Sequence, residues 1–252
     1  MNTTSQQPRV EILPTLGEFE TAAAETILSS ITEALRDRNK CLLGLSGGNT
    51  PREVYRHLGK LLVAQSVDVT RLHLIFVDER MVPPDDPASN YKMVQHELIE
   101  PASIPPSNVH RIKGELNPEI AASEYERELK PLFSIFNGRC DLIVLGVGAD
   151  GHTASLFPGS EVLHEHERTA GAVFVPNLNS WRVTLTLPVI NRSQAALFLV
   201  AGEEKAAIVG KIFANTHATE DMPATMVSPE TGTVKWMLDA KAASKLPLER
   251  LS

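Results

Sequence analysis

The chain has 252 residues, with 24 Lys and Arg against 31 Asp and Glu, a formal charge of −7. That balance argues against non-specific attraction to nucleic acid or to an anionic membrane surface, so any phosphorylated ligand must be met by a few cations gathered locally. Two cysteines, Cys41 and Cys140, are too few for a disulfide framework and read as small buried hydrophobes. Length and ordinary composition predict one domain over residues 1–252 with a sizeable core. No apolar run approaches the roughly 18 residues of a spanning helix. The opening "MNTTSQQPRVEILP" lacks the charged-then-apolar pattern of a signal peptide. The expectation is a cytoplasmic protein, a monomer or weak homodimer, with no nucleic-acid or membrane partner.

From Leu16 to Arg38, apolar residues recur at helical spacing (Phe19, Ala23, Ile27, Ile31, Leu35), which predicts a surface helix. "CLLGLS" follows as a short buried strand, and "TPREVYRHLGKLL" as a helix with Pro51 in its first turn. "LHLIFVD" predicts a second strand ending at Asp78. Beyond a proline-rich loop, "SNYKMVQHELI" opens a helix that Ser89 can cap. A further helix from Pro118 to Phe136 leads into the strand "DLIVLGV". Three strand-like segments follow, "GAVFVP", "RVTLTLP" and "AALFLVAG", and then a helix from about Glu203 to Asn215. The alternation predicts an α/β fold: a Rossmann-like, doubly wound, mainly parallel sheet with helices on both faces. The β-rich stretch from Gly171 to Pro188 is expected to form a small additional sheet.

In such sheets ligands bind beyond the carboxyl ends of the strands, and the polar clusters fall there, after Leu45, Val77, Val147 and Ala201. Ser46, Gly47 and Gly48, with Asn49 and Thr50, follow a strand and open a helix. Glycines there let backbone N–H groups approach an anion, although a plain strand-to-helix turn needs the same residues. Asp78, Glu79 and Arg80 sit together where unpaired charge is costly. Arg80 reads either as a planar fork for phosphate or carboxylate, or as half of an internal ion pair.

Gly146-x-Gly148-x-x-Gly151 matches the dinucleotide fingerprint in letters, but Pro158 interrupts the helix that fingerprint requires. What remains is a turn presenting Asp150 and His152 two residues apart. An imidazole accepts a proton near neutral pH, and a carboxylate can fix its tautomer, so His152 reads as a general base. Arg182 and Lys205 are placed either to reach a phosphate across a shared cleft or to sit as solvated surface charges. His164 and His166 in "HEHE" have no accompanying ligand spacing and read as a solvated turn, not a metal site.

Taken together, "LSGGNTP", "VDERMVP…SNY", "DLIVLGVGADGHTASLFPG", "RVTLTLPVIN", "VAGEEKA" and "VKWMLDAKAA" resemble the glucosamine-6-phosphate isomerase/6-phosphogluconolactonase family. The pieces occur in the family's order and cover nearly the whole chain. The resemblance to the lactone-hydrolysing branch implies opening of 6-phospho-D-glucono-1,5-lactone to 6-phosphogluconate, the second step of the oxidative pentose phosphate pathway, with no metal and no nucleotide cofactor. Carried onto this chain, it implies that His152 activates water with Asp150 in support. It further implies that Asp78, Arg80, Arg182, Lys205 and the loop of Ser46, Gly47, Gly48, Asn49 and Thr50 hold the phosphate or sugar oxygens. The chain departs from the family at Asp86 and Ala88, in a loop that shapes the sugar pocket.

Two other readings remain open. An amino-sugar-phosphate deaminase/isomerase of the same fold reads Asp-Glu-Tyr at Asp78-Glu79-Arg80 and Asn-Glu at Leu156-Phe157, both against this chain. A non-catalytic sugar-phosphate sensor would keep the anion loop and lose the base, whereas Asp150 and His152 are both present.

Overall fold

The computed structural model describes residues 8–215 and 217–247, so most of the N-terminal stretch read above for a leader lies outside the described residues. The chain opens with β1 (Arg9–Leu13), α1 (Leu16–Arg38), β2 (Cys41–Leu45), α2 (Asn49–Ala64) and β3 (Leu72–Phe76). It continues through β4 (Asp78–Arg80), α3 (Asn90–Val94), β5 (Val109–His110), α4 (Pro118–Ile135) and β6 (Leu142–Leu145). Then come β7 (Ala170–Val175), β8 (Ser180–Leu185), α5 (Leu187–Asn191), β9 (Ala195–Val200), α6 (Ala206–Ala214) and β10 (Thr233–Asp239). Seven strands pair in parallel in the order β1, β10, β9, β6, β2, β3, β5, and β4, β8 and β7 form a separate antiparallel sheet.

From β2 the chain builds outward one way through β3 and β5, and from β6 it builds the other way through β9 and β10. Right-handed crossovers therefore place α1 and α2 on one face and α4 and α6 on the other, and α1 packs directly on α2. β2 and β6 are neighbours, so the building direction reverses between them. At such a switch point the loops leaving two adjacent strands diverge and open a crevice at their carboxyl ends. Every residue of β2 and β6 is buried, as expected of strands covered on both faces. α1 shows the usual sequence logic of a helix start: Thr15 and Glu18 form a reciprocal capping box.

Three features differ from the sequence expectation. The strand "LHLIFVD" ends at Phe76, because the chain turns out of the main sheet at Val77, whose N–H still bonds Leu45 and whose carbonyl accepts from Leu185 of β8. Asp78–Arg80 is consequently a strand of the small sheet. The helix begun at Asn90 keeps α geometry only to Val94 and widens into a π turn over Gln95–Ile99. The strands β1, β5 and β10 were not anticipated: β5 is two residues long, and in β1 and β10 the polar–apolar alternation runs for only four residues, Arg9 to Ile12 and Thr233 to Trp236. Among the described residues no helix is long and apolar enough to cross a membrane.

Leu43, wholly buried in the centre of β2, tests the packing of this core. Leu43→Ala is expected to lower stability by about 2–5 kcal/mol, read as an earlier midpoint of urea unfolding. An unchanged midpoint would contradict a close-packed sheet centre.

Candidate active site

A cleft of ≈ 340 Å³ opens at the carboxyl ends of the parallel strands, above the junction of β2 and β6. One wall is the loop after β2. Gly48 caps α2 with φ +108°, a conformation that favours glycine. No side chain caps that helix, no acid lies in its first turn, and among the described residues no protein acceptor meets the N–H groups of Asn49 and Thr50. The free donors and the partial positive charge of a 16-residue helix therefore face the cleft. Gly47 is obligatory for another reason: a Cβ there would fall 1.8 Å from Oδ1 of Asn90. Ser46 lines the same wall, and its buried hydroxyl has no hydrogen-bond partner among the described residues.

The opposite wall is the turn after β6. The Gly148 N–H donates to the His152 carbonyl (2.8 Å) and the Gly151 N–H to the Gly148 carbonyl (3.0 Å), closing a tight loop. Nδ1 of His152 lies 2.6 Å from Oδ1 of Asp150, which also accepts the His152 backbone N–H at 3.1 Å. The carboxylate holds the ring proton on Nδ1 and leaves Nε2 with its lone pair. Burial alone would raise the Asp150 carboxyl, but the His152 N–H and imidazole outweigh it and hold it below the ordinary value. Gly148 makes room for this pair, since a Cβ there would stand 2.1 Å from His152 Nδ1. Irregular chain, not a helix, follows Gly151, so the glycine pattern serves a turn and not a dinucleotide.

The small sheet supplies cations. Its register sets Arg80 directly across from Arg182. Arg80 donates to the Ala88 carbonyl, Arg182 to Oγ of Ser180 (2.8 Å), and Lys205, just beyond β9, to the Val147 carbonyl (2.9 Å). All these acceptors are neutral, and none of the three cations belongs to an ion pair among the described residues. Burial, then the like charge of Arg80, hold the Arg182 guanidinium below its usual value, against the pull of Asp78 and Glu79. Among the described residues, the internal ion pair left open for Arg80 is thus not formed.

The two acids beside Arg80 are engaged by hydrogen bonds. Asp78 accepts from Ser155 Oγ (2.7 Å), and its carbonyl accepts from the Asn90 side chain (2.9 Å). Glu79 accepts the N–H groups of Arg80, Asn90 and Tyr91 and the Ser89 hydroxyl, at 2.7–3.0 Å. Burial pushes the Glu79 carboxyl up, and those N–H groups pull it back down only in part. Asp86 bonds the Ala88 N–H (2.7 Å), so the loop that departs from the family pattern presents the carbonyl that Arg80 grips.

Ser46, Gly47, Gly48, Asn49, Thr50, Asp78, Arg80, His152, Arg182 and Lys205 all line the cleft. Asp150 does not: it stands behind His152, in a neighbouring groove. Sequence reasoning assigned nothing to Asn90, Ser155, Phe157 or Leu178, which also line the cleft. Ser155 and Phe157 had a signal, their place on the His152 turn, and Asn90 had its place in "SNY". Leu178, at a hairpin tip and 58% exposed, had none. His164 is exposed, and among the described residues no group of three or more His, Cys, Asp or Glu is arranged to hold a metal.

The family model described as glucosamine-6-phosphate isomerases/6-phosphogluconolactonase matches residues 14–236. A 6-phosphogluconolactonase from Synechocystis is 35% identical over 244 residues, covering 95% of this chain and 98% of that protein. One from Homo sapiens is 38% identical over 224 residues, 85% of each chain. The crystal structure of 6-phosphogluconolactonase from Thermotoga maritima superposes with a TM-score of 0.80 at 29% identity, covering 92% of this chain and all of that one. The chain therefore belongs to the glucosamine-6-phosphate isomerase/6-phosphogluconolactonase family.

Proposed function

We propose that this chain hydrolyses 6-phospho-D-glucono-1,5-lactone to 6-phospho-D-gluconate by general-base activation of water. The observation that carries the reading is the Asp150–His152 pair opening onto a cleft that also holds three cations with no ion-pair partner among the described residues. Nε2 of His152 takes a proton from water as its oxygen attacks the lactone carbonyl carbon. The tetrahedral intermediate then breaks the bond to the ring oxygen, which receives the proton from the imidazolium. Asp150, charged throughout, keeps the tautomer and steadies the imidazolium. A positioned base contributes about 10²–10⁴-fold, and a lactone is reactive enough that no nucleophilic side chain, metal or nucleotide is needed.

Arg80, Arg182, Lys205 and the Ser46–Thr50 loop hold the 6-phosphate and neighbouring sugar oxygens, with Asp78 fixing the frame around them. Binding the remote phosphate sets the carbonyl carbon beside His152. The N–H groups of Gly148 and Gly151 are spent within their own turn, which leaves the loop after β2 as the glycine-rich source of free donors. Proton transfer between sugar carbons, as a deaminase/isomerase requires, finds no carboxylate at Phe157, where that branch reads Glu.

His152→Ala should lower turnover of freshly generated 6-phosphogluconolactone by about 10²–10⁴-fold in a coupled assay corrected for spontaneous opening, while 6-phosphogluconate still binds. Near-parental turnover would defeat the assignment. Arg80→Ala should weaken binding of phosphorylated ligands and leave uncharged glucono-lactone little affected; equal losses would make Arg80 structural. The same His152→Ala variant loses two of the influences that hold the Asp150 carboxyl down, so that group should titrate at higher pH by carboxyl NMR. An unmoved titration would mean that the backbone N–H alone sets it.

A further inference from the structure

We propose that Phe157 is a positioning residue: its ring is the wall that keeps the His152 imidazole aimed into the cleft. The inference rests on the reading of His152 as the base. Asp150 restrains one edge of the imidazole, but the side chains of Asp150 and His152 are 51% and 29% exposed, so the pair sits on an open turn. The His152 backbone N–H ties the Asp150 carboxylate to the turn, but one hydrogen bond at Nδ1 does not by itself fix the plane of the ring. Gly148 supports the ring from below, without a side chain to hold it. One face of the imidazole packs on Phe157, whose ring centroid lies 4.2 Å from that of the imidazole at an interplanar angle of 33°.

Phe157 is itself anchored at both ends. Before it, Leu156 is fully buried, and Ser155 is tied to the Asp78 carboxylate. After it, Ser160 donates its N–H (3.1 Å) and its hydroxyl (2.7 Å) to the Phe157 carbonyl. The backbone that carries the wall is therefore fixed on both sides of Phe157. Phe157 also lines both the cleft and a second groove of ≈ 620 Å³ that carries Asp150, Glu119 and Glu161. Phe157 thus borders both cavities. Without it the imidazole gains room to rotate toward the acidic groove, and water reaches the base from behind. The anion loop, Arg80, Arg182 and Lys205 lie on other elements, so the loss falls on the chemical step and not on phosphate binding.

The test compares Phe157→Ala, Phe157→Leu, His152→Ala and the Phe157→Ala/His152→Ala double variant on freshly generated 6-phosphogluconolactone. Phe157→Ala should lower kcat on the order of 10²-fold, the cost typical of an Å-scale misplacement, with KM and inhibition by 6-phosphogluconate unchanged. Phe157→Leu, which restores apolar bulk, should recover most of that loss. Phe157→Ala should add nothing once His152 is gone, because both changes then remove the same function. If Phe157→Ala keeps its kcat while His152→Ala does not, or if its effect multiplies with that of His152→Ala, the positioning role is overturned and the base assignment stands. Full turnover in His152→Ala overturns the base assignment itself.

Discussion

A buried carboxylate organises the cleft. Asp78 stands at the point where the chain leaves the main sheet for the small one, paired across strands with Thr184. Its side chain accepts from Ser155 on the turn that bears His152, and its carbonyl accepts from Asn90. The Asn90 amide in turn presses against Gly47 of the anion loop so closely that no side chain could replace the glycine hydrogen. One residue thus connects the loop after β2, the turn after β6, the start of α3 and the strand carrying Arg80. A carboxylate in that position is costly unless its oxygens are satisfied, and leaving it unmatched would cost more than the hydrogen bonds contribute singly. The arrangement therefore ties the segments to one another through a single buried residue.

Around that frame the electrostatics run against the chain's overall sign. The molecule carries a net charge of −7, yet the cleft gathers two guanidiniums in direct cross-strand register, an ammonium and the positive end of α2. Like charges opposite one another in a sheet are unfavourable, and among the described residues Asp78 and Glu79 offset them only from beyond ion-pair distance. An anion seated between them would do so more directly. The acids nearest to hand, Asp78 and Glu79, are occupied by Ser155, Ser89 and backbone N–H groups, which keeps them from neutralising Arg80. The cations are thus gathered on one side of the cleft, with His152 on a separate wall, as the proposed reading requires.

The long helices and the buried strands β2 and β6 were legible in the sequence because periodicity and capping act locally: the Thr15–Glu18 box and the stripe from Phe19 to Ile31 need only α1 itself. The strand-end clusters were legible for a topological reason, since a parallel sheet exposes its loops at one edge. What escaped depends on contacts between distant segments. The turn at Val77 is set by its bonds to Leu45 and Leu185, which lie 32 residues before it and 108 after it. Asn90 becomes part of the cleft only when α3 meets Gly47, and Leu178 only when the β7–β8 hairpin folds over. Asp150 was legible as the partner of His152, but its place behind the ring, outside the cleft, follows from the Gly148–His152 loop closure.

The central claim is a matter of placement: one cleft offers a phosphate seat at one end and an imidazole nitrogen at the other. A crystal structure with bound 6-phosphogluconate reads that directly. The account predicts the phosphate among Arg80, Arg182, Lys205 and the Ser46–Thr50 loop, with the C1 carboxylate beside Nε2 of His152. A product bound with its carboxylate remote from His152, or a phosphate that engages none of the three cations, would contradict it.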